Sequence, residues 1–562
     1  MRRSPTVRAA VFYAACTLLL AYPLVLNVRS SAMPGDPDTD LFMWTLAWNT
    51  HALFTSPLSL FDANIYHPHP LTLAFSESLL GSTIFAAPIL WMTGDHILAL
   101  NITELLSIAL SGLGAFVLGR RLGLTPLAAL ICGMVFAFSP GRFFRIGQMH
   151  LTTIQWIPFC LAYLHTYLAE ARRRDLLIAI GFFTLQALTS GHAAVYLATA
   201  ILFLLAWTLA QTRSLRPLLQ WIRDAGIAGV LLLLPSVLIF IPYKQLQNQM
   251  GLIRTLADWE TPFESFLASP TTLHTWIFET FWNTDFIERA NAYLFPGFAT
   301  LLLAGLAVAG LVRSRARNRE NGTSGIRPST VGLYLLVTIA AVLLSAGPPI
   351  GLWPYVHELP GLNFIRVPSR FMLLGMLSLA VLAGAGFETM VRGWPRRRIH
   401  VAAAVVAAVM IAECLTIPLP GHRPYEVRIP DADRWIATQP SARVIAEMPA
   451  TELNERLQST YMLHSTAHWR KTVHGHSGFR TPSHVELYTE MRRFPSEETL
   501  RTLAAVGVTH IIVHPEFYEE ERWARVKEEL PMVPWLQLVF DDGESRVYEL
   551  MPMDIDIEGR VP

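Results

Sequence analysis

The stretch SLLGSTIFAAPILWMT, residues 78–93, determines how the rest of this chain is oriented in a membrane. It is apolar, it contains Pro88, and it is shorter than the about 20 apolar residues that a helix needs to cross the hydrocarbon core. Two interpretations are open: the stretch crosses the membrane, or it forms a helix that lies in the outer interface. The arginines that follow it decide between these interpretations.

Basic residues recur in short clusters between the later apolar runs, at Arg120–Arg121, Arg172–Arg174, Arg213–Arg216, Arg313–Arg319 and Arg392–Arg398. If residues 78–93 cross the membrane, all of these clusters fall on the outer side. If residues 78–93 lie in the interface, all of the clusters fall on the cytoplasmic side, as the positive-inside rule requires. We therefore predict an interfacial helix at residues 78–93.

The composition is that of a membrane protein. Of the 562 residues, 52% are hydrophobic and only 15% are charged, against about 25% charged residues in a typical soluble domain. We predict an all-α polytopic membrane bundle of about eleven transmembrane helices. The net charge of +1 provides no overall positive field, so we expect no binding to nucleic acid. The candidate spans are the apolar runs 8–28, 97–119, 125–139, 152–170, 175–190, 192–211, 222–242, 293–313, 330–347, 369–391 and 399–419.

The interfacial assignment predicts a cytoplasmic N-terminus and three long outer segments, at residues 29–96, 243–292 and 420–562. We interpret the basic N-terminus and its apolar run as a retained first span, not as a signal peptide that is removed. Residues 1–419 are thus predicted to form the transmembrane domain, and residues 420–562 an extracytoplasmic domain. All four cysteines lie in apolar runs, so no disulfide is expected outside the membrane.

The segment 420–562 has the pattern of a small α/β domain. An Asp542-Gly543 turn joins two strands as a hairpin. Ser496 is a suitable N-cap for a helix that ends at Gly507. The other predicted elements are strands at Arg443–Met448 and Thr509–Val513, a helix at Phe517–Leu530, and the hairpin strands Gln537–Phe540 and Arg546–Leu550.

Carboxylates gather directly after the first apolar run, in the stretch GDPDTDLFMWTLAWNTHAL, residues 35–53. Asp36, Asp38 and Asp40 stand at alternate positions, and aromatic residues follow them. At a membrane face, such carboxylates suit a general base or a metal-holding group that acts on a lipid-borne substrate. The alternative is that they are turn or helix-end residues in contact with solvent.

The layout of the chain resembles the GT-C superfamily of glycosyltransferases, which use sugars linked to polyprenyl phosphate. The superfamily includes protein O-mannosyltransferases, aminoarabinose transferases and oligosaccharyltransferases, and the resemblance covers about residues 1–420. The stretches that carry it are GDPDTDLFMWTLAW, FDANIYHP, AFSESLLG, FAFSPGRFFRIGQMHL and FIRVPSRFMLL. The resemblance implies a bacterial plasma-membrane enzyme, in contact with membrane lipids, that transfers a sugar to an acceptor on the outer face. The acceptor is left open as a glycan, a lipid or a protein.

The resemblance also implies roles for the acidic residues. In the superfamily, an acidic residue of the first outer loop acts as base or metal ligand, and this role falls here on Asp40 or Asp36, with Asp38 as the third candidate. The sequence departs from the mannosyltransferase branch, because aspartates at alternate positions replace its paired Asp-Glu. Glu77 and His51, in the same outer segment, are weaker candidates for binding the substrate.

The phosphate of a lipid-linked donor needs cationic partners at the outer interface. Few arginines are predicted to face outward, and arginine can bind phosphate through two parallel hydrogen bonds. The alternative is that these side chains reach lipid headgroups. The candidates are Arg142, Arg145, Arg366 and Arg370, together with His150, for which packing against neighbouring helices is the alternative.

Histidines cluster in the stretch HSTAHWRKTVHGHSG, residues 464–478. His464 and His468 would share one face of a helix, as zinc ligands can, but no carboxylate stands at a suitable spacing in the sequence. We therefore assign no metal ligands. A divalent metal remains a candidate cofactor only through the resemblance, in which the lipid-linked sugar is a substrate.

Two other functions are open. A transporter or lipid flippase would place polar residues in mid-membrane on broken helices. The predicted spans are instead nearly free of charged residues, with Glu104 and Glu413 as exceptions. A non-catalytic envelope assembly protein would use the acidic stretch as a structural element and the tail to bind a partner.

Overall fold

A computed structural model describes residues 4–33, 37–250, 261–316, 325–359, 362, 365, 367–451 and 456–553. Helices dominate this part of the chain. In order, the α-helices are α1 Pro5–Leu20, α2 Pro37–Thr55, α3 Thr83–Thr93, α4 His96–Arg121, α5 Pro126–Phe138, α6 Pro140–Phe143, α7 Met149–Thr152, α8 Trp156–Glu170, α9 Arg173–Thr189, α10 Gly191–Thr212, α11 Arg216–Met250, α12 Thr272–Trp282, α13 Phe298–Ala316, α14 Pro328–Ser345, α15 Trp353–Val356, α16 Met372–Met390, α17 Arg396–Cys414, α18 Asp431–Thr438, α19 Leu457–His464, α20 Pro482–Met491, α21 Glu497–Ala505 and α22 Glu520–Glu529. The strands are β1 Ser31–Ala32, β2 Arg423–Pro424, β3 Val444–Met448, β4 Lys471–Thr472, β5 His510–Val513, β6 Leu536–Asp541 and β7 Arg546–Leu550.

Contacts divide the chain into two compact units. The helical unit comprises Met1–Asn27 and Asn101–His422, and the mixed unit comprises Val28–Leu100 and Arg423–Pro562. The outer segment predicted at residues 29–96 therefore packs with the tail, although the whole helical unit separates the two in the sequence. Our sequence analysis placed this segment in the transmembrane domain as an outer loop.

Each candidate span overlaps an α-helix of the structure. Among the described helices, five are long and apolar enough to cross a membrane by length and composition: His96–Arg121, Gly191–Thr212, Arg216–Met250, Pro328–Ser345 and Pro368–Met390. Four shorter apolar helices lie at Pro5–Leu20, Thr83–Thr93, Pro126–Phe138 and Phe298–Arg313. The chain is thus a multi-pass helical membrane protein, and the number of about eleven spans stays a prediction.

Proline and glycine mark the beginnings and breaks of these helices. Helices α1, α5 and α14 each start at a proline (Pro5, Pro126 and Pro328). Proline suits this position because an N–H in the first turn would have no partner within the helix, and proline has none. Helix α11 is interrupted at Gly226, where φ is 50° and ψ is −154°, a conformation that only glycine adopts readily. The span predicted at 222–242 therefore corresponds mainly to the part of α11 that follows this break.

The stretch that we predicted to lie in the interface forms α3, a helix of 11 residues. At about 1.5 Å per residue it is about 16 Å long, whereas the hydrocarbon core is about 30 Å thick. Ile84, Trp91 and Met92 are exposed on it, and Gly94 ends it with a φ of 66°. The helix is therefore shorter than the core is thick, as is the 13-residue α5, and its place in the interface stays a prediction.

The mixed unit contains a five-stranded sheet in the order β4-β3-β5-β7-β6. Strand β3 runs parallel to β4 and β5, whereas β7 is antiparallel to β5 and β6. The predicted strands and hairpin are confirmed, and Gly543 in the hairpin turn has a φ of 87°. The predicted helix cap is also confirmed, because the Thr499 N–H donates to Ser496 Oγ over 3.2 Å and Gly507 has a φ of 84°.

Helices cover both faces of this sheet, so its central strands are buried. On one face, Ile511 and Val513 of β5 pack in a cluster with residues of α20, α21 and α22. On the other face, Ile512 of β5 and Ile445 of β3 pack with α18. Side chains alternate along a strand, so Glu447 points to the same face as Ile445. This register places a carboxylate in the interior on the α18 side.

The first outer segment extends the exposed edge of the sheet. The Tyr66 N–H donates to the His474 carbonyl and the His67 N–H donates to the Thr472 carbonyl, both over 2.9 Å, while the Thr472 N–H donates to the Asn64 carbonyl over 2.7 Å. A sheet edge needs such a cover because its backbone groups are otherwise unpaired. The FDANIYHP stretch thus joins the tail through main-chain hydrogen bonds.

Gly475 lies where this added segment packs most closely, and we expect Gly475→Ala to destabilise the protein. A Cβ at this position would lie 2.4 Å from ring atoms of Tyr66, whose side chain is fully buried. Overpacking of this kind costs about 1–3 kcal/mol, so the midpoint of thermal unfolding of the detergent-purified protein should fall. Gly478→Ala is the matched control, since a Cβ there meets nothing within 4 Å. Equal midpoints for both variants would contradict this packing.

Candidate functional site

Asp40 occupies the first turn of α2, the helix that the acidic stretch forms. The helix begins at Pro37, with Asp38 and Asp40 in its first turn, where negative charge is favoured by the helix dipole. Most of α2 is buried in the mixed unit, and Asp40 is 0% exposed. A carboxylate at a helix end usually remains in contact with water. A buried one such as Asp40 needs hydrogen-bond or ionic partners in the protein.

These partners come from the tail. Ser459 Oγ lies 2.7 Å from Oδ2 of Asp40 and 2.7 Å from the Arg456 carbonyl, and its one proton goes to the carboxylate when that group is ionised, since charged acceptors form the stronger hydrogen bond. Arg456 Nε lies 3.6 Å from the same carboxylate oxygen. The Arg456 guanidinium also lies over the ring of Tyr425, 4.4 Å from its centroid. In the described structure, Oδ1 of Asp40 is buried and has no hydrogen-bond partner. Oδ2 of Asp40 therefore has a hydrogen-bond donor and a cation beside it, whereas Oδ1 has no partner among the described residues.

Burial raises the pKa of Asp40 to about 6, against the opposing effects of the Ser459 hydrogen bond and the Arg456 charge. Desolvation disfavours the ionised form of a carboxyl group, while donors and cations favour it. A carboxylate with a pKa near 6 is largely ionised at neutral pH and is still basic enough to accept a proton. The arrangement is suited to general-base chemistry at Oδ1.

The other two aspartates of the stretch differ from Asp40. Asp38 is exposed, and its Oδ1 lies 3.2 Å from Nε2 of His476 in the tail. Asp36 lies outside the described residues. His476 was counted in the histidine cluster of the sequence but was given no role, and the structure pairs it with the acidic stretch.

His51 and Glu77 lie on the same unit as Asp40 but have other neighbours. The His51 ring stacks on Trp469, with centroids 4.3 Å apart and an interplanar angle of 11°. Glu77 is half-buried and precedes Ser78, whose carbonyl accepts a hydrogen bond of 2.7 Å from Asn49 of α2. Their predicted roles in substrate binding stay predictions.

In the helical unit, Arg142 is fully buried, and among the described residues its Nη2 has hydrogen-bond partners whereas Nε and Nη1 have none. It donates hydrogen bonds to Ser111 Oγ over 2.9 Å and to the Thr152 carbonyl over 2.8 Å. The buried carboxylate of Glu104 accepts hydrogen bonds of 3.1 Å from the Gly147 N–H and interacts electrostatically with Arg142. These contacts favour a structural role for Arg142 over phosphate binding.

Arg145 and Arg370 line one small cavity of the helical unit, together with Gly141 and Ser369. Both side chains are half-buried, and Arg145 Nη1 donates a hydrogen bond of 3.1 Å to Gln148 Oε1. Two guanidinium groups on one cavity form an anion-binding environment. The structure thus brings two of the four predicted arginines together.

The remaining predicted residues of this group do not add to that cavity. Arg366 lies outside the described residues. The His150 ring lies 6.5 Å from the ring of His192, a spacing that indicates packing between helical segments. His150 is not among the residues that line the cavity of Arg145 and Arg370.

Glu413, the second acidic residue within the predicted spans, caps a helix. Its Oε1 accepts hydrogen bonds from the N–H groups of Phe298 and Ala299, over 2.8 and 3.2 Å, at the start of α13. A carboxylate is stabilised at a helix N-terminus by the free N–H groups and the dipole. Glu413 and Glu104 thus both have structural partners.

A second polar cluster lies inside the mixed unit. Asp433, Glu447, His464 and His514 each offer one ligand atom, and these atoms all lie within 4.8 Å of one another. Burial and the neighbouring Asp433 carboxylate raise the pKa of Glu447 to about 8. This buried group could hold a metal ion. The two carboxylates come from α18 and β3, far from the histidine stretch in sequence, so no local spacing indicated them.

Comparisons with known proteins bear on the fold. No protein-family model matches the chain, and no curated protein matches it. Among solved structures, arabinofuranosyltransferase AftD from Mycobacteria aligns with a TM-score of 0.58 and 16% sequence identity, over 98% of this chain and 40% of AftD. The chain thus spans less than half the length of AftD.

Two further structures align less well. The oligosaccharyltransferase of Archaeoglobus fulgidus has a TM-score of 0.47 and 13% identity, over 98% of this chain and 75% of its own. ArnT from Cupriavidus metallidurans has a TM-score of 0.38 and 13% identity, over 97% of this chain and 98% of its own. The fold assignment therefore rests on AftD. Over 98% of its length the chain therefore shares its fold with the arabinofuranosyltransferase AftD, and this agreement in fold is what the resemblance seen in the sequence implies.

Proposed function

We propose that this chain is a membrane glycosyltransferase that moves a sugar from a polyprenyl-phosphate donor to an acceptor on the outer face of the membrane. The observation that carries the proposal is the carboxylate of Asp40, with Oδ2 held by Ser459 and Oδ1 uncommitted. The GT-C fold supports the same reaction class. AftD is an arabinofuranosyltransferase, so pentose donors are the first to test, followed by hexose donors.

In the proposed reaction, Oδ1 of Asp40 accepts the proton of an acceptor hydroxyl or amine as that group attacks the anomeric carbon of the sugar. A bond forms between acceptor and sugar, and the bond between the sugar and the phosphate oxygen breaks. Polyprenyl phosphate leaves with the electron pair. Because Oδ1 is buried, acceptor binding must displace neighbouring side chains to reach it.

The charge of the departing phosphate needs a cationic partner, and we assign this role to Arg145 and Arg370. Guanidinium groups remain charged and can contact two phosphate oxygens at once. Both residues line the same cavity, and because its volume is only about 10 Å³ it would have to widen to admit a phosphate. Arg142 is not assigned to this role because it is fully buried and does not line this cavity.

A bacterial plasma membrane with a cytoplasmic N-terminus suits this reaction, because a lipid-linked donor requires no nucleotide sugar on the outer side. The positive-inside pattern of the arginine clusters supports that orientation. A transporter is less well supported, since Glu104 and Glu413 are held by backbone N–H groups and do not offer free charge to a cargo.

The experiment that tests the proposal is a transfer assay with detergent-purified protein, radiolabelled polyprenyl-phosphate pentoses and hexoses, and a membrane extract as the source of acceptor. We expect label to leave the donor lipid and appear in a new product. The rate should fall at acid pH with an apparent pKa near 6, because protonation of Asp40 removes the base. Donors that all remain intact in every extract would contradict the proposal.

Ser459→Ala should move the acid limb of this pH profile to higher pH. The Ser459 hydroxyl donates to the ionised form of Asp40, so its loss raises the pKa of Asp40 further and the base protonates at a higher pH. A hydrogen bond to a charged group contributes about 1.5–3 kcal/mol, which corresponds to a shift of about one pH unit or more. The measurement is kcat/KM for the donor between pH 5 and 9.

Thr460→Ala is the matched control for this shift. The Thr460 hydroxyl donates to the Arg456 carbonyl over 3.3 Å at an exposed site, so its removal should leave the acid limb in place. An acid limb that stays where it is in Ser459→Ala, or moves to lower pH, would contradict the role of Ser459 in holding the base.

A further inference from the structure

The buried cluster of the mixed unit contains metal-ligating side chains that the proposed transfer does not use. Asp433, Glu447, His464 and His514 are at most 2% exposed, and one ligand atom of each lies within 4.8 Å of the others. The four residues come from α18, β3, the end of α19 and the loop after β5. We propose that the cluster is a structural site for a divalent transition metal, and that its ligands select zinc.

Charge balance supports a bound cation. Within the described structure, the ion-pair partners of Asp433 and Glu447 are histidines, with no lysine or arginine among them. Two acidic side chains are thus enclosed without a permanent cation, and burying charge without compensation costs several kcal/mol per ion. A dication would neutralise both carboxylates.

Polar atoms of the cluster also lack regular hydrogen bonds. Neither oxygen of Asp433 accepts one in the described structure, and neither does Oε1 of Glu447, although His468 Nε2 approaches Asp433 Oδ1 at 3.5 Å. Buried acceptors are rarely left in this state. Coordination by a metal ion would satisfy these oxygens.

The ligand atoms fit zinc in number and type. Two imidazole nitrogens and two carboxylate oxygens make four ligands, as in a closed structural zinc site. Glu447 Oε2 lies 2.7 Å from His464 Nδ1 and 2.9 Å from His514 Nε2. Tetrahedral ligands at about 2.0–2.2 Å from zinc lie about 3.3–3.6 Å apart. Small rotations of these side chains would therefore admit the ion.

Neighbouring groups already orient the ligands. Nδ1 of His514 lies 3.0 Å from Ser545 Oγ, which leaves Nε2 to face the cluster. Nδ1 of His468 accepts a hydrogen bond of 2.9 Å from the Arg470 N–H, so a neutral His468 carries its proton on Nε2, on the side of Asp433. Metal-binding histidines and carboxylates are commonly held by such contacts.

The site would also fix the helix that supports Asp40. His464 ends α19, and Ser459 lies five residues before it, about 7.5 Å along the helix axis. Losing the metal should therefore slow sugar transfer as well as loosen α19. This consequence rests on the proposed function, whereas metal content and thermal stability do not.

The test is metal analysis of the full-length protein, purified in detergent without a polyhistidine tag. We expect about one zinc ion per chain by elemental mass spectrometry. Incubation with a chelator should remove the zinc and lower the midpoint of thermal unfolding, and added zinc should restore both. His514→Gln should lose most of the zinc, whereas the control His400→Gln, an exposed histidine of α17, should keep it.

Asp433→Asn separates a metal site from a network of hydrogen bonds without metal. In the absence of a metal, removing the buried Asp433 carboxylate should raise the unfolding midpoint or leave it unchanged. If Asp433 is a ligand, the same variant should lose zinc and unfold at a lower temperature. Wild-type protein that neither contains nor takes up stoichiometric divalent metal would overturn the proposal, whatever its transfer activity.

Discussion

Replacing Asp40 by asparagine should reduce kcat for sugar transfer by a factor of about 100–10,000, the usual contribution of a positioned general base. Asparagine has the same shape and can still accept the hydrogen bond that Ser459 donates to Oδ2. It cannot accept a proton at neutral pH. The KM for the donor should change little, because the carboxylate is assigned to the acceptor side of the reaction.

The control for this variant is Asp95→Asn, the same chemical change in the same outer segment. Asp95 Oδ1 accepts a hydrogen bond of 2.8 Å from the Leu98 N–H at the start of α4, and asparagine serves as well in such a cap. Transfer by this control should stay within about twofold of wild type. If Asp40→Asn transfers sugar as fast as Asp95→Asn, Asp40 is not the base.

The double variant Arg145→Gln/Arg370→Gln should raise the KM for the donor and lower kcat. Both guanidinium groups line one cavity, and each charge-assisted hydrogen bond to phosphate contributes about 1.5–3 kcal/mol. Loss of one such bond corresponds to roughly a 10- to 100-fold decrease in kcat/KM. If the two residues act independently, the fold decrease in kcat/KM of the double variant should equal the product of the two single decreases. If they act together, it should be smaller than that product.

Steady-state kinetics with varied donor concentration measure this effect. Arg392→Gln is the control, since Arg392 is an exposed arginine of the same unit and lies in a cluster predicted to face the cytoplasm. If the double variant has the same KM for the donor and the same kcat as this control, Arg145 and Arg370 do not bind the phosphate.

Hydropathy predicts where the helices of the helical unit lie, because membrane spans need long apolar runs whatever their packing. The number of spans and their orientation, which the charge pattern indicates, stay predictions. The length of α3 agrees with its interfacial assignment. Local signals also predict the tail: a cap at Ser496 and a turn at Asp542-Gly543 depend on a few neighbouring residues. Each of these features is encoded within one short segment.

The candidate site is less predictable because it depends on contacts between distant segments. Asp40 is recognisable as a candidate from the acidic stretch, but Ser459 lies in α19 and Arg456 directly precedes it, and both follow the whole helical unit in sequence. The hydrogen bonds between residues 64–67 and 472–474 bring these segments together. No periodicity or spacing in one sequence reports such a pairing.

The buried cluster of the tail could not be predicted from the sequence for the same reason. The histidine stretch is visible in the sequence, yet the carboxylates that complete the cluster, Asp433 and Glu447, lie on other elements. The alternation of β3 turns Glu447 inward, and α18 brings Asp433 to the same face of the sheet. Spacing rules for metal ligands apply to local motifs and do not detect ligands assembled by tertiary structure.

We propose that this chain transfers sugar and does not merely move the lipid that carries it. The most direct measurement reconstitutes the purified protein in vesicles with a polyprenyl-phosphate donor radiolabelled in its sugar, and follows both the lipid that carries the label and the leaflet it occupies. We predict that label appears in an acceptor and that free polyprenyl phosphate accumulates in equal amount. Label that stays on the donor lipid while the donor crosses the bilayer would contradict the glycosyltransferase assignment and indicate a flippase.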